Sequence, residues 1–124
     1  MLYDYTVFLG PPQEPGEDWT AFIPQVSGAY EQGETIEEAV ANVTDMLLYM
    51  LAYYKIQDGE FPPWKPVEDF QDRIDLLMEG EALPQRKITV DWDDAMEAKE
   101  KRDKEHMCAL IITRFLRSVG ASKS

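Results

Sequence analysis

Trp19-Thr-Ala-Phe-Ile-Pro-Gln-Val-Ser-Gly-Ala-Tyr-Glu-Gln-Gly-Glu-Thr-Ile-Glu-Glu-Ala-Val-Ala-Asn-Val43 decides the fold. It reads as a strand, a Pro/Gly corner, a second strand, a tight turn and a capped helix. Trp19 to Ile23 is apolar apart from one Thr, and Pro24 ends it because proline has no N–H for a sheet ladder. Gly28 and Gly33 mark positions where the backbone is expected to take a positive φ. Thr35 opens the helix as a Thr-x-x-Glu capping box: its hydroxyl accepts from the Glu38 amide and the Glu38 carboxylate reaches back. Glu34, Glu37 and Glu38 lie at the positive end of the helix dipole.

Outward from this stretch, Leu2 to Leu9 reads as an earlier strand. Tyr3, Tyr5, Val7 and Leu9 alternate with Asp4, Thr6 and Phe8 at nearly period two. Gly10 to Gly16 is a loop, and Val26 to Glu31 is read as the third strand. Short connections favour an antiparallel meander. The first helix is expected from Thr35 to Tyr54, with Ile36, Ala39, Val40, Val43, Leu47, Met50, Leu51 and Tyr54 as its apolar stripe. Met46, Leu48, Tyr49 and Tyr53 add apolar surface outside that stripe, so a second helix or a second protomer should cover them.

Gln57 to Pro66 is a stiff linker, since its prolines forbid helix and favour extended chain. Trp64 within it is expected to fold back on the core. A second helix follows from Pro66 to Glu79, with Pro at its start and Gly80 past its end. Val67, Phe70, Ile74, Leu77 and Met78 form its expected buried face, and it is a candidate cover for Tyr49 and Tyr53. Arg86 to Trp92 alternates like a strand, and Asp93 to Val119 is helical by pattern. The second half of that tail is amphipathic through Met107, Leu110, Ile111, Phe115 and Val119. The resulting fold class is α+β: a three- to four-stranded antiparallel sheet packed by one long helix, with further helices at the carboxyl end.

The chain has 124 residues, enough for one core without staples. Its net charge of −12 is unevenly spread. Residues 1–84 hold three Lys/Arg against seventeen Asp/Glu, a net −14, and residues 85–124 carry a net +2. Such a body repels nucleic acid and attracts a basic partner, and only the tail is suited to a phosphate backbone. Cys108 is the single cysteine, which excludes an internal disulfide. The start of the chain has no basic, apolar leader pattern and no apolar run approaches a membrane span, so cytoplasm is the expected compartment.

The stretch quoted first resembles the amino-terminal domain of HicB-type antitoxins. The resemblance is carried by Ile23-Pro24, Gly28, Gly33-Glu34-Thr35-Ile36-Glu37-Glu38-Ala39 and Ala41-Asn42. Where the family pattern has Asp, Pro and Cys, this chain has Gln25, Ser27 and Ala29. The family also has a Gly-Glu-x-x-Pro turn before its last strand. Gly80-Glu-Ala-Leu-Pro84 is the better match, and Gly59-Glu-Phe-Pro62 is the other copy. On that alignment residues 1–92 form the HicB-like domain, residues 57–79 are a helical insertion, and residues 93–124 are a helical extension suited to dimerisation. The resemblance implies a partial RNase H-like fold and an antitoxin. Its partner would be HicA, a small basic mRNA-cleaving toxin whose RNA-binding surface the antitoxin covers.

HicB antitoxins often append a module that binds the operator of their own operon, and residues 86–119 fit a ribbon-helix-helix reading. Arg86, Lys87 and Thr89 are then the candidate DNA contacts, with Ile111, Phe115 and Leu116 as a dimer core. Asp91 on the reading strand argues against it, as does the lack of a break between Asp93 and Val119. A single long helix that covers the body or pairs with its copy stays open. Tyr49, Tyr53, Ile111, Phe115 and Leu116 are the candidate oligomer contacts, and a homo-oligomer is expected.

Little supports an enzyme. His106 is the only histidine and reads as a solvated helix residue, and Cys108 as a small core residue. No phosphate loop, nucleophile elbow or metal-ligand pair appears. Nucleases of the RNase H fold hold two metals on clustered carboxylates. Here the strand carboxylates are Asp4 and Asp91, too few for that, so no cofactor or metal is expected. Two competitors remain beside the antitoxin: an orphan HicB-like oligomeric regulator without a toxin, and, last, a metal-dependent nuclease.

Overall fold

The computed structural model describes residues 1–78 and 83–106. Four antiparallel strands form one sheet in the order β3-β2-β1-β4: β1 (Leu2–Gly10), β2 (Trp19–Phe22), β3 (Tyr30–Gly33) and β4 (Gln85–Asp91). The helices are α1 (Ile36–Asp58), α2 (Gln71–Met78) and α3 (95–106). Short 3₁₀ turns, Val67–Phe70 and Trp92–Asp94, precede α2 and α3.

β1 organises the sheet. It is nine residues long and pairs with β4 from Leu2↔Asp91 to Phe8↔Gln85. With β2 it pairs only at Phe8↔Phe22, Leu9↔Ala21 and Gly10↔Thr20. Its alternation divides two cores. Tyr5, Val7 and Leu9 are buried with Ala21, Ile23 and the α1 residues Ala39, Val43, Leu47, Leu51 and Ala52. Phe8 points the other way and packs with Phe22 and Ile74 of α2, its ring 5.4 Å from that of Phe22. Burial of each such Leu, Val or Phe stabilises the fold by about 1.5–3 kcal/mol. Both faces of the sheet are therefore covered.

The α1 stripe packs as its spacing predicts, and one half of the expected capping box forms at its amino end: the Glu38 amide donates to the Thr35 hydroxyl at 3.1 Å, while the return bond to the Glu38 carboxylate is not made. The helix is longer than predicted. It runs on to Asp58 and stops at Gly59, whose φ of 85° lets its N–H donate to the Lys55 carbonyl at 2.8 Å.

Three other expectations are corrected. The third strand begins at Tyr30, four residues later than its pattern suggests. Residues 24–28 instead form a turn closed by Ile23 N–H to the Ala29 carbonyl at 2.9 Å, with Gly28 at φ 93°. Gly33 does not take a positive φ; what it supplies is the space against which α1 starts. Finally, α2 does not cover Tyr49 and Tyr53. It lies on the opposite face of the sheet, because Phe8 and Phe22 there need an apolar cover. Of its predicted buried face Ile74, Val67 and Met78 pack, while Leu77 is 46% exposed.

The cover over Tyr49 comes from α3. Ala95 is fully buried, and the Lys99 ammonium and Arg102 guanidinium lie 5.1 and 5.3 Å from the Tyr49 ring centre. Arg102 also reaches Glu31 of β3 at 3.5 Å. Trp64 folds back as expected: its indole N–H donates to the Asp4 carbonyl at 2.7 Å.

Candidate interaction surface

Carboxylates dominate the surface of residues 1–78. Ten of the 15 before residue 79 fall in three places: the β1–β2 loop (Glu14, Glu17, Asp18), the start of α1 (Glu34 before its cap, Glu37 and Glu38 in its first turn), and the α2 region (Glu68, Asp69, Asp72, Asp75). Glu68, Asp72 and Asp75 recur at helical spacing, so they line one exposed stripe. Of the 15 carboxylates before residue 79, only Glu31 and Glu37 lie within 4 Å of a cation among the described residues. The Glu37 contact, to Arg86 at 3.8 Å, is exposed and contributes little. Uncompensated charge of one sign sums to a field that attracts cationic surfaces and raises their association rate.

Beside the α2 stripe runs an apolar groove of 260 Å³. Phe22, Pro24 and Val26 form its floor, and Tyr30, Leu76 and Leu77 its walls. Those three walls are 50%, 78% and 46% exposed. Arg73 fixes one end by donating to the Pro24 carbonyl at 2.7 Å. A second open apolar patch joins Ile56 and Met96, at 54% and 41% exposure, and Tyr53, 40% exposed, lies one helical turn before Ile56 on α1.

The candidate DNA contacts do not share a face. Strand parity puts Arg86 opposite Val7, on the α1 side, where it meets Glu37. Lys87 and Thr89 pair with Thr6 and Asp4, on the α2 side, and the Thr89 hydroxyl donates to the Asp4 carboxylate at 2.5 Å. Of the candidate oligomer contacts, Tyr49 is half-buried under α3 and Tyr53 is open. Ile111, Phe115 and Leu116 lie outside the described residues, as does Cys108. His106, the last described residue of α3, is exposed.

Asp4 and Asp91 already have partners. Asp91 accepts from the Asp93 amide at 3.0 Å and from the Met1 ammonium at 2.9 Å. The Asp93 amide first, then the ammonium, hold its carboxyl below the usual range. Among the described residues no group of three or more His, Cys, Asp or Glu is placed to hold a metal ion.

The most perturbed group is structural. Tyr5 is buried beneath α1, and burial pushes its phenol up to about 12 from 10.0, although the Trp92 indole N–H donates to its oxygen at 2.8 Å. The folded state thus keeps the Tyr5 proton where the unfolded chain releases it. Stability is expected to hold below pH 10 and to fall as pH rises from 10 to about 12. Urea titrations across that window check this, and Tyr5→Phe should flatten the slope. An equal slope in the variant would assign the loss to other groups.

Sequence reasoning missed the groove. Its one signal was the pair Leu76-Leu77, of which only one can face inward on a helix.

No protein-family model matches the chain. Among curated proteins, a UPF0150 protein of Synechocystis sp. is 39% identical over 47 residues, which covers 38% of this chain. The chain spans 57% of that protein's length. Among solved structures, the N-terminal domain of the Burkholderia pseudomallei antitoxin HicB matches with a TM-score of 0.51 at 19% identity, covering 72% of this chain and 99% of that domain. At that identity the likeness is one of architecture. The chain has the fold of the N-terminal domain of antitoxin HicB.

Proposed function

We propose that this chain is an antitoxin that binds a small basic toxin of the HicA type and covers its RNA-binding surface. The observation that carries the reading is the HicB N-terminal fold bearing carboxylates that lack cationic partners among the described residues. A ribonuclease binds phosphates, so its substrate surface is cationic, and the net −14 carried by residues 1–84 is complementary to it. Inhibition is then occlusion, with electrostatics setting the rate of encounter and no chemistry in the antitoxin. In this reading residues 1–92 are the binding body, 57–79 are an addition to the family pattern, and 93–124 are an extension.

A second reading, an oligomeric regulator without a toxin, draws on the open patch at Ile56 and Met96. Operator binding draws less support, because Arg86 faces away from Lys87 and Thr89.

The test is recovery of partners by the tagged chain from its native extract at low and high salt. The expected result is a small basic protein whose affinity falls roughly tenfold or more as salt shortens the Debye length from about 10 to 3 Å. Recovery of copies of this chain alone would favour the regulator. Binding that is insensitive to salt would remove the electrostatic part of the proposal.

A further inference from the structure

We propose that the outer edge of β4 pairs antiparallel with the same strand of a second copy of this chain, about a two-fold axis at Thr89. The sheet has an edge at β3 and an edge at β4, and the chain itself closes only the first. β3 is short and is served from within: the Asn42 amide group donates to the Gln32 carbonyl at 2.8 Å, and the Tyr30 amide donates to the Gly28 carbonyl at 3.0 Å. β4 is seven residues long, and among the described residues no strand lies beyond it.

Ladder parity identifies the open groups of β4. The Leu9 amide donates to the Pro84 carbonyl, and the Trp92 amide donates to the Met1 carbonyl. Hydrogen-bonded pairs alternate along an antiparallel ladder, so Arg86, Ile88 and Val90 bond to β1. Gln85, Lys87, Thr89 and Asp91 turn their N–H and C=O groups outward, and none of these groups has a partner among the described residues. Gln85, Lys87 and Thr89 are exposed. Helix α3 does not shield them: it lies over Tyr49 of α1 and reaches Glu31 of β3, at the other edge. A bare row of main-chain donors and acceptors is a template for a further strand.

Charge selects a second copy as the occupant. Residues 1–84 carry a net −14, whereas β4 holds Arg86 and Lys87 against Asp91 alone. Two such acidic bodies therefore approach with least repulsion edge to edge. Side-chain pairing then fixes the register. With the axis at Thr89, Lys87 faces the partner's Asp91, and by symmetry Asp91 faces the partner's Lys87. On the α1 face Ile88 stands opposite the partner's Val90. Opposite charges and apolar β-branched pairs are favourable across strands. An axis at Lys87 sets that lysine against itself, and an axis at Ile88 sets Lys87 against threonine and Arg86 against valine. Lys87 has no carboxylate within 4 Å among the described residues. Asp91 keeps extended backbone, at φ −98° and ψ 121°, so the ladder runs as far as it. Its Oδ1 accepts from the Met1 ammonium and the Asp93 amide, which leaves Oδ2 for the lysine. The dimer keeps the β1–β2 loop and α2 carboxylates outward, so it neither needs a toxin nor blocks one from them.

The test is amide exchange of the full chain at high and low protein concentration. The Lys87, Thr89 and Asp91 amides are expected to exchange roughly tenfold or more slowly in the concentrated sample and to lose that protection on dilution. Protection that ignores concentration would show that the chain covers its own edge, and no protection at either concentration would show a bare edge; each overturns the proposal. Thr89→Pro is the first variant. Proline is tolerated where an edge N–H faces outward, so the fold should keep its circular dichroism while sedimentation shows loss of the dimer. A dimer that survives this change is built elsewhere, as on the Ile56–Met96 patch, and the proposal fails. Charge reversal checks the register. Lys87→Glu and Asp91→Lys should each raise the dissociation constant roughly tenfold or more. An equimolar mixture of the two variants should dimerise again, because each lysine at 87 or 91 then faces a carboxylate. A mixture that stays as weak as its components would overturn the pairing at Thr89.

Discussion

Gly33→Ala is expected to destabilise the fold by about 3 kcal/mol or more, among the largest effects of any single methyl group in this chain. A Cβ built on Gly33 lies 2.4 Å from the Ala39 nitrogen and 2.8 Å from both the Ala39 Cα and the Glu38 carbonyl carbon. All three are backbone atoms in the first turns of α1, so no side-chain rotation relieves the clash. Either β3 or the start of α1 must move. Moving α1 disturbs Ala39 and Val43, both fully buried against the sheet. Gly59→Ala is the control. Its φ is 85°, so it carries backbone strain of about 1 kcal/mol, but nothing lies within 4 Å of its Cβ position. Urea unfolding of the two variants separates the causes. If Gly33→Ala proves as mild as Gly59→Ala, close approach is not what the glycine provides.

Gly33 also shows what kind of information the sequence carries. The glycine was visible at once and its reason was misread, because a demand for positive φ is local while a demand for space depends on the partner element. The same division runs through the chain. The Thr35 cap, the α1 stripe and the alternation of β1 arise within a few residues, and each is legible. That Arg86–Asp91 is a strand followed from period-two alternation after a Gly/Pro turn; its pairing with β1 did not, since alternation names no partner. The face taken by α2 did not follow. It depends on Phe8, an apolar residue on the polar phase of β1, finding Phe22 beside it. The split of Arg86 from Lys87 and Thr89 is a consequence of strand parity, which appears only when the segment is placed in this sheet and not in a separate ribbon. The groove was hidden for a related reason. Leu77 reads as part of a helix core until α2 is seen to bury only Ile74 fully.

Gln25→Leu is the second large effect expected, about 2–4 kcal/mol for the loss of two hydrogen bonds and the stranding of their partners. β2 ends at Phe22, so the half of β1 before Phe8 has no strand on that side. Gln25 takes the strand's place. It is only 9% exposed, its Oε1 accepts from the Thr6 amide at 2.8 Å, and its Nε2 donates to the Lys65 carbonyl at 2.8 Å. One residue group along, the Trp64 indole serves the Asp4 carbonyl. An uncovered sheet edge is a template for unwanted pairing, and here side chains and the 61–66 segment close it. Leucine matches glutamine in bulk but offers neither donor nor acceptor, so the Thr6 N–H and Lys65 carbonyl lose their partners where water has poor access. Trp64→Phe removes a single bond at a more exposed site and is expected to cost only about 1 kcal/mol. In Gln25→Leu, amide exchange at Thr6 should rise, and limited proteolysis should cut between residues 59 and 66. A variant within about 0.5 kcal/mol of the parent, with the Thr6 amide still protected, would show that something else pairs the edge. An Asp here would be one methylene shorter and, as a carboxylate, would have no N–H to donate, so it could accept from a strand amide but could not also hold a carbonyl. Only a side chain with both functions couples the corner to the segment that follows α1, as Gln25 does between Thr6 and Lys65.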